Sequence, residues 1–285
     1  MNGEQDMAHD TTHDAQLRAH CTADADGRIT FELPALEASD LQPAQLLLRL
    51  RPKKGKPEDT LRVLPLEAVD DGGRRAVLEP QPPLTEGRWD VYLLPEPGAP
   101  RQRLRPGLRD LRALVDGHTR NWPSPVAVRV PYTTKDGYLA VRTWLRTAQA
   151  EVEGIDVTDR SMTVKARLHG ATLAEGAVVR LRARGANGAV RTREPQAESA
   201  GQRFSFTVDF EELINADTTG NRVWDISVQT GSAEGAPLIR VGRLFDDLAD
   251  RKEIFVYPSA MLGGVAVSPY YTVDNDLSVE VTTAD

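Results

Sequence analysis

The sequence predicts an all-β protein built from two tandem β-sandwich domains related by internal duplication. Short apolar runs alternate with polar residues at a period of two, and segments of the first half recur in the same order about 130 residues later. Alternation places one face of a strand on a core and the other in water. Such runs recur about every ten residues between Gly, Pro, Asp and Asn, which is typical of sandwiches.

The closing segment of each half carries the clearest repeat. Residues 131–141 read PYTTKDGYLAV and residues 269–279 read PYYTVDNDLSV, so both fit P-Y-x-T-x-D-x-x-L-x-V at a spacing of 138 residues. A period this long predicts paired domains rather than a solenoid of short repeats. Four further pairs keep the same order, with spacings of 133, 131, 128 and 135 residues: 29–31 with 162–164, 47–51 with 178–182, 75–78 with 203–206, and 87–92 with 222–227.

The repeats divide the chain into three parts. Residues 1–16 are polar and acidic and are expected to form a disordered tail. Residues 17–146 and 147–285 are each expected to fold as an immunoglobulin-like, Greek-key sandwich of seven to nine strands. The joint near residues 145–153 is short and contains no proline, which predicts restricted motion between the two domains.

Helix is expected to be scarce. The sequence allows a turn or two of helix in three places, which are residues 108–115, 211–216 and 246–250. All other regular structure is predicted to be strand.

Composition narrows the classes of function. The chain has one cysteine, Cys21, so no disulfide can form within it and each domain must rely on its own core. No apolar run approaches the roughly 20 residues of a membrane helix, and the tail lacks the apolar region of a signal peptide. We therefore expect a cytoplasmic protein without a membrane span.

Charge is distributed unevenly along the chain. Residues 1–150 carry 21 basic and 21 acidic side chains, so the formal net charge of −7 falls on residues 151–285. An acidic protein of this kind gives no overall reason to expect a nucleic-acid partner.

The repeated Pro-Tyr motif is best explained by a hairpin turn beside core residues. Asp136-Gly137 is a strong turn signal because glycine adopts positive φ without strain. Asn275 stands at the matching position and tolerates the same conformation. The alternative, a ligand site at this motif, includes Ca²⁺ held by Asp274 and Asp276, but the first half has Tyr138 in place of the second aspartate.

The two Trp-Asp dipeptides begin alternating strands. Buried tryptophan is common in sandwich cores, so Trp89 and Trp224 are expected in the core. The alternative is that their rings lie on an exposed, sugar-binding face.

Two basic runs in the first half form the candidate ligand site. They are largely missing from the second half. Guanidinium and ammonium groups in such runs can bind phosphate or an anionic polymer through charge-assisted hydrogen bonds. The runs could also dock the acidic second half or a protein partner, or belong to solvated loops. The candidate residues are Arg49, Arg51, Lys53 and Lys54 in the first run and Arg101, Arg103 and Arg105 in the second.

No catalytic residue, cofactor site or metal site is predicted. The sequence contains no HExxH, CxxC, GxSxG or P-loop motif, which are the patterns that carry the common hydrolytic, redox and nucleotide chemistries. Cys21 has no histidine partner that the sequence identifies, and paired acidic residues are expected on the surface.

The Trp-Asp strands, the Arg-rich strand that follows and the closing P-Y-x-T-x-D-x-x-L-x-V motif resemble parts of a known group. They are similar to the β-sandwich regions of actinobacterial glycosyltransferases and CDP-glycerol glycerophosphotransferase-like wall-polymer enzymes. The resemblance covers most of both halves. It implies an accessory module that carries no active site, and no catalytic residue transfers to this sequence.

Three hypotheses about function follow. The leading one is a non-catalytic module that binds a glycan, an anionic polymer or a protein partner, accessory to carbohydrate or cell-envelope polymer metabolism. The second is a scaffold that forms homo-oligomers or binds other proteins through its sheets. The third is an enzyme with its site in the cleft between the domains, where pockets often form.

Overall fold

The all-β class is confirmed. In a computed structural model, strands take 53% and helices 4% of the described residues. No helix in the part of the chain that the structure describes is long and apolar enough to cross a membrane. The described residues are 17–34, 44–52, 55, 57–58, 60–70, 72–96, 98–185, 188–198, 200–214 and 221–283, so the predicted tail lies outside them.

The first half contains eleven strands in its described residues. Two 3₁₀ turns, Arg112–Leu114 and Gly117–Thr119, lie between the ninth and tenth strands. The strands are β1 (Arg18–Ala23), β2 (Ile29–Leu33), β3 (Gln45–Leu50), β4 (Leu61–Pro65), β5 (Glu67–Ala68), β6 (Arg74–Leu78), β7 (Gly87–Leu94), β8 (Gln102–Arg103), β9 (Arg105–Asp110), β10 (Val126–Thr133) and β11 (Leu139–Arg146).

The second half also contains eleven strands in its described residues. One helix, α1 (Glu211–Ile214), follows the sixth of them. The strands are β12 (Gln149–Val157), β13 (Ser161–His169), β14 (Val178–Ala183), β15 (Val190–Arg193), β16 (Gln196–Ala197), β17 (Arg203–Asp209), β18 (Arg222–Gln229), β19 (Leu238–Gly242), β20 (Ala260–Leu262), β21 (Val265–Tyr271) and β22 (Leu277–Thr283).

Two sheets enclose the core of the first half. One has the order β5-β6-β2-β1-β9, and the other has the order β10-β11-β7-β3-β4 with β8 beside β7. Inward side chains of both sheets, among them Phe31, Leu48 and Trp89, form one buried cluster. Two sheets that share a core in this way have the packing of a β-sandwich.

The second half repeats this arrangement with one added connection. The strands β16-β17-β13-β12 lie on one side and β15-β14-β18-β22-β21-β20 on the other. Strand β19 joins them, since it pairs parallel with β12 and antiparallel with β18. Met162, Phe206 and Trp224 belong to the buried cluster between them. With Trp89 and Trp224 only 2% and 0% exposed, the core interpretation of both tryptophans is confirmed.

The strand registers correct two of the repeat spacings. Arg49 lies opposite Asp90 and Arg182 lies opposite Asp225, so β3 corresponds to β14 at a spacing of 133 residues rather than 131. Likewise Leu78 corresponds to Val208 by their strand partners, at 130 rather than 128. A slip of two residues preserves the inward and outward alternation, so the sequence pattern cannot detect it.

The number of strands differs from expectation. The extra strands include β5, β8 and β16, which are only two residues long, too short for an alternating pattern.

The three predicted helical segments have different outcomes. Helix α1 lies within the predicted segment 211–216. In the predicted segment 108–115, the 3₁₀ turn Arg112–Leu114 is present, but residues 108–110 belong to β9, which pairs parallel with β1, because tertiary pairing overrides the local apolar spacing. Residues 246–250 contain no helix.

The turn interpretation of the repeated motif is confirmed. Gly137 has φ +78° and Asn275 has φ +61°. The Asn275 side chain is also buried, donates to the Leu248 carbonyl at 3.2 Å and accepts from the Arg251 amide at 3.2 Å. The second turn therefore anchors the segment around residues 244–251 as well as closing its hairpin.

The segment at 244–251 joins the two halves. Leu244, Phe245 and Ala249 belong to the buried cluster of the first half, and the Phe245 ring stacks on Trp122 with centroids 4.6 Å apart. Residues 147–148 connect β11 to β12 at the predicted joint. The division into domains at this point stays a prediction.

Two buried titratable groups hold this segment in place. Glu151 accepts the amide hydrogens of Leu244 and Phe245 at 2.9 Å, and burial raises the pKa of its carboxyl to about 7. The imidazole of His169 packs edge-on against Phe245, with ring centroids 4.7 Å apart. Burial lowers the pKa of His169 to about 4.

We expect these two groups to give opposite pH dependences of stability. Glu151 is protonated in the folded state but ionised in the unfolded state between pH 4.5 and 7, so its contribution falls as pH rises through this window. His169 is neutral in the folded state and charged in the unfolded state between pH 4 and 6.5, so its contribution rises with pH.

The variant Glu151→Gln separates the contribution of Glu151 from that of His169, because glutamine keeps an acceptor oxygen but cannot ionise. Its free energy of unfolding relative to wild type should increase between pH 4.5 and 7 by about 1.4 kcal/mol per pH unit. Urea unfolding at several pH values measures this difference, with His169→Phe as the converse control. A difference that does not change with pH would contradict the raised pKa.

Candidate functional site

The predicted arginines converge on a buried carboxylate. Asp90 is 3% exposed. Arg51 donates to it through Nε and Nη2, at 2.7 Å for the shortest contact. Arg103 Nη2 lies 3.2 Å from Asp90 Oδ1, and Arg49 Nη2 lies 3.5 Å from Asp90 Oδ2. Three guanidinium groups from two separate basic runs therefore share one carboxylate.

A second carboxylate extends the cluster. Arg49 Nη1 lies 3.0 Å from Glu58 Oε2, and Arg101 donates to the other oxygen of Glu58. The hydrogen bond from Arg101 lowers the pKa of Glu58. Four guanidinium groups thus share two carboxylates among the described residues, and this surface keeps an excess of positive charge.

Two tyrosine rings complete this surface. Two guanidinium groups contact the Tyr138 ring, with Arg103 3.9 Å and Arg105 4.4 Å from its centroid. Arg49 lies 5.4 Å from the centroid of Tyr92. These distances are those of cation–π contacts. We define the arginine–tyrosine face as Arg49, Arg51, Tyr92, Arg101, Arg103, Arg105 and Tyr138.

Strand alternation explains why these side chains share a face. In β7, Trp89 and Val91 point into the core, so Asp90 and Tyr92 lie on the opposite side. Residues that pair directly across antiparallel strands share a face. Arg49 pairs with Asp90 in this way. The hydrogen bond that Arg51 donates to Asp90 raises the pKa of Arg51, so the guanidinium group of Arg51 is charged.

The structure brings together five of the seven predicted residues. Lys53 and Lys54 lie outside the described residues. Arg109 and Arg112, which extend the second basic run, have other partners. Arg112 pairs with Asp110 at 2.6 Å, and Arg109 donates to the Pro131 carbonyl at 3.5 Å.

The carboxylates and tyrosines of the face are not among the residues that the sequence predicts for the site. The sequence indicates Asp90 only as part of a Trp-Asp dipeptide, and Glu58, Tyr92 and Tyr138 carry no site prediction. A signal for two of them was present, because Asp90 and Tyr92 alternate with the apolar Trp89 and Val91. Nothing in the sequence indicated that Tyr138 would meet Arg103 and Arg105.

A cavity of about 730 Å³ begins beside this face and runs between the two halves. Arg51 and Arg88 line it from the first half, together with the buried Arg142. Arg240 and Asp274 line it from the second half. We call it the arginine cavity.

Ion pairs cross between the halves beside this cavity. Arg142 Nη2 lies 2.6 Å from Asp274 Oδ1, and Arg146 Nη2 lies 2.9 Å from Asp276 Oδ1. Burial lowers the pKa of Arg142 and raises that of Asp276. Arg240 adds a contact from the other side, since it pairs with Glu86 and Asp276 at 3.1 Å each.

Arginines outside the two basic runs make these contacts. Arg142 and Arg146 of β11 pair with Asp274 and Asp276. Guanidinium groups therefore contact both of the aspartates that the sequence offers as alternative Ca²⁺ ligands.

Cys21 lies outside all of these sites. Its side chain is buried, and burial raises the pKa of the thiol to about 11. A thiol with this pKa is not ionised near neutral pH, so Cys21 lacks the thiolate that nucleophilic chemistry requires.

Comparison with known proteins yields weak structural matches alone. No protein-family model matches the chain, and no curated protein matches it. Residues 217–571 of S. aureus TarS match at 15% identity and a TM-score of 0.28, covering 67% of this chain and 55% of that one. A longer S. aureus TarS structure matches at 14% identity and a TM-score of 0.30, covering 73% of this chain and 38% of that one.

A third match is to a different kind of protein. A tetra-tandem repeat from the extending region of a large adhesion protein matches at 10% identity and a TM-score of 0.19, covering 94% of this chain and 66% of that one. At these TM-scores the matches assign no function, and the resemblance drawn from the sequence stays a prediction.

The second half contains a matched counterpart of the Arg51–Asp90 pair. Arg184 donates to Asp225 through Nε and Nη2, at 2.7 Å for the shortest contact, and Ser278 Oγ donates to Asp225 at 2.9 Å. Here one arginine, rather than three, pairs with the aspartate. Both side chains of the pair are about half exposed.

We predict unequal costs for removing the two aspartate charges. Asp90→Asn leaves three guanidinium groups around a buried neutral side chain and should lower the free energy of unfolding by about 3 kcal/mol. Asp225→Asn removes an exposed pair and should cost less than about 1 kcal/mol. Urea unfolding at neutral pH measures both, and equal losses would show that the arginines do not depend on Asp90.

Proposed function

We propose that the protein is a non-catalytic module that binds an anionic glycopolymer through the arginine–tyrosine face. The observation that carries the proposal is the excess of guanidinium groups over carboxylates around Asp90 and Glu58. Guanidinium groups bind phosphate and carboxylate groups by paired, charge-assisted hydrogen bonds. Repeated anions along a polymer would meet several of them at once.

The exposure of these side chains supports a surface ligand. The side chains of Arg49, Arg51, Arg101 and Arg103 are between 26% and 38% exposed. They are therefore held in place by Asp90 and Glu58 while part of each remains accessible to a ligand. The ring of Tyr138 adds an amphipathic surface against which a sugar could pack.

The resemblance drawn from the sequence selects the first ligands to test. It favours cell-envelope polymers whose repeating units carry phosphodiester or carboxylate groups. The scaffold and the cleft enzyme of the sequence analysis stay predictions, as does the non-catalytic role itself.

The test is a binding titration with matched charge variants. Poly(glycerol phosphate) and polygalacturonate serve as anionic probes, and dextran serves as a neutral one. The double variant Arg101→Gln/Arg103→Gln should weaken binding of the anionic probes at least about tenfold, since each removed charged contact is worth about 1 kcal/mol or more. Wild-type affinity should fall as salt is raised.

The control removes the same charge elsewhere. Arg28 pairs with Glu79 at 3.0 Å and Arg203 pairs with Glu153 at 3.3 Å, and all four side chains are at least a quarter exposed. Arg28→Gln/Arg203→Gln should leave binding close to wild type. If both double variants lose the same amount of affinity, net charge alone explains the effect and the proposal is contradicted. The proposal is also contradicted if the wild-type protein binds neither anionic probe.

A further inference from the structure

A second cavity adjoins the arginine cavity on the side of the second half. Its volume is about 400 Å³, and it shares Arg240 and Asp274 with the arginine cavity. Its other lining side chains include the Arg184–Asp225 pair and Tyr270. We call it the carboxylate cavity, and the two together the inter-half groove. Both volumes lie in the range of small-molecule sites.

The two cavities differ in charge. The described residues of the arginine cavity include four arginines and two carboxylates, Glu86 and Asp274. Those of the carboxylate cavity are balanced, because Arg184, Arg240 and Lys252 face three aspartates. One end of the groove therefore attracts an anion, while the other offers polar groups without net charge.

The positive end contains guanidinium groups with few partners. Arg88 Nη2 makes only long contacts, 3.4 Å to the Val273 carbonyl and 3.9 Å to Asp250. The side chain of Arg142 is 5% exposed, and its Nε finds no hydrogen-bond partner among the described residues. A buried donor without a partner is costly, and an anion that reached it would remove that cost.

The balanced end contains groups suited to an uncharged, hydroxyl-bearing unit. The carboxylates of Asp225 and Asp276 already accept from Arg184 and Arg240, but a carboxylate has about four acceptor sites and can accept from a further hydroxyl group. The half-buried ring of Tyr270 presents an amphipathic surface. Lys252 lies 5.6 Å from the centroid of that ring. Carboxylate acceptors beside an aromatic ring can bind the hydroxyl groups and the apolar face of a sugar.

We propose that the inter-half groove is a binding site for a glycosyl phosphate. The phosphate binds Arg88 and Arg142 in the arginine cavity, and the sugar binds Asp225, Asp276 and Tyr270 in the carboxylate cavity. This site is separate from the arginine–tyrosine face, with Arg51 at the boundary between them, and it stands whether or not that face binds a polymer. The glycosyl phosphate can be a free sugar phosphate or a unit of a polymer.

The test compares three small probes by isothermal titration calorimetry. Glucose 1-phosphate should bind at least about tenfold more tightly than inorganic phosphate or glucose, because only the first fills both cavities. Arg88→Gln should weaken glucose 1-phosphate at least about tenfold. Tyr270→Leu should reduce its affinity towards that of phosphate.

Arg28→Gln removes an exposed charge that pairs with Glu79 outside both sites; it is the matched control and should leave glucose 1-phosphate binding unchanged. Arg103→Gln is titrated beside it to report on the arginine–tyrosine face. The ion pair that the described residues give Arg88 is long, at 3.9 Å to Asp250, so its variant is expected to fold, which circular dichroism checks. Loss of binding in Arg103→Gln with none in Arg88→Gln would overturn the groove site and leave the proposed function intact. Equal affinity for phosphate and glucose 1-phosphate, or no binding of either, would also overturn it.

A competition experiment distinguishes the two sources of the ligand. The experiment uses the double variant Arg101→Gln/Arg103→Gln, whose arginine–tyrosine face binds polymers weakly. In this variant, displacement of glucose 1-phosphate by poly(glucosyl phosphate) would support a polymer as the ligand of the groove. Retention of glucose 1-phosphate would support a free sugar phosphate. One result would overturn the groove proposal and leave the proposed function standing. In that result, wild type and Arg88→Gln bind the polymer equally well, and neither of these two proteins binds glucose 1-phosphate.

Discussion

Arg142 and Arg146 of the first half form ion pairs with Asp274 and Asp276 of the second half, and the two arginine side chains are almost fully buried. Burying these charges is tolerable only while they remain paired. The pairs are supported by the Trp144 ring nitrogen, which donates to the Asp274 carbonyl at 3.0 Å. Because the arginine cavity is lined from both halves, its shape depends on these contacts. The segment at 244–251, held by Glu151, adds an apolar contact to the same junction.

The same chemistry is used differently at the three arginine clusters. At the junction, aspartates neutralise buried arginines and hold the halves together. At Asp90, three arginines share one buried carboxylate, and their charge is only partly neutralised. At Asp225, one arginine pairs with one exposed carboxylate. The halves thus share a strand register and an Arg–Asp pair. Arg182 stands at the position that corresponds to Arg49, but Arg184 is the arginine that pairs with Asp225, whereas three arginines pair with Asp90.

The sequence was sufficient for the parts of the fold that depend on alternation and turn chemistry. It predicted the all-β class, the buried Trp89 and Trp224, and the positive φ of Gly137 and Asn275. It could not specify the alignment of β3 with β14, since a two-residue slip leaves the pattern unchanged. For the site, it predicted the arginines but not their arrangement, because Asp90, Glu58 and Tyr138 meet them through long-range strand pairing. The inter-half contacts of Arg142 and Arg146 had no sequence signal, since both lie in an ordinary alternating strand.

The central claim is that the arginine excess around Asp90 and Glu58 is a ligand site, and nuclear magnetic resonance of arginine side chains tests it most directly. The Nε–Hε signals, assigned by single Arg→Lys variants, would be followed while poly(glycerol phosphate) is added. We expect the signals of Arg101 and Arg103 to shift in a saturable way, while those of Arg28 and Arg203 remain in place. Shifts of equal size at all four positions, or none at Arg101 and Arg103, would contradict the claim.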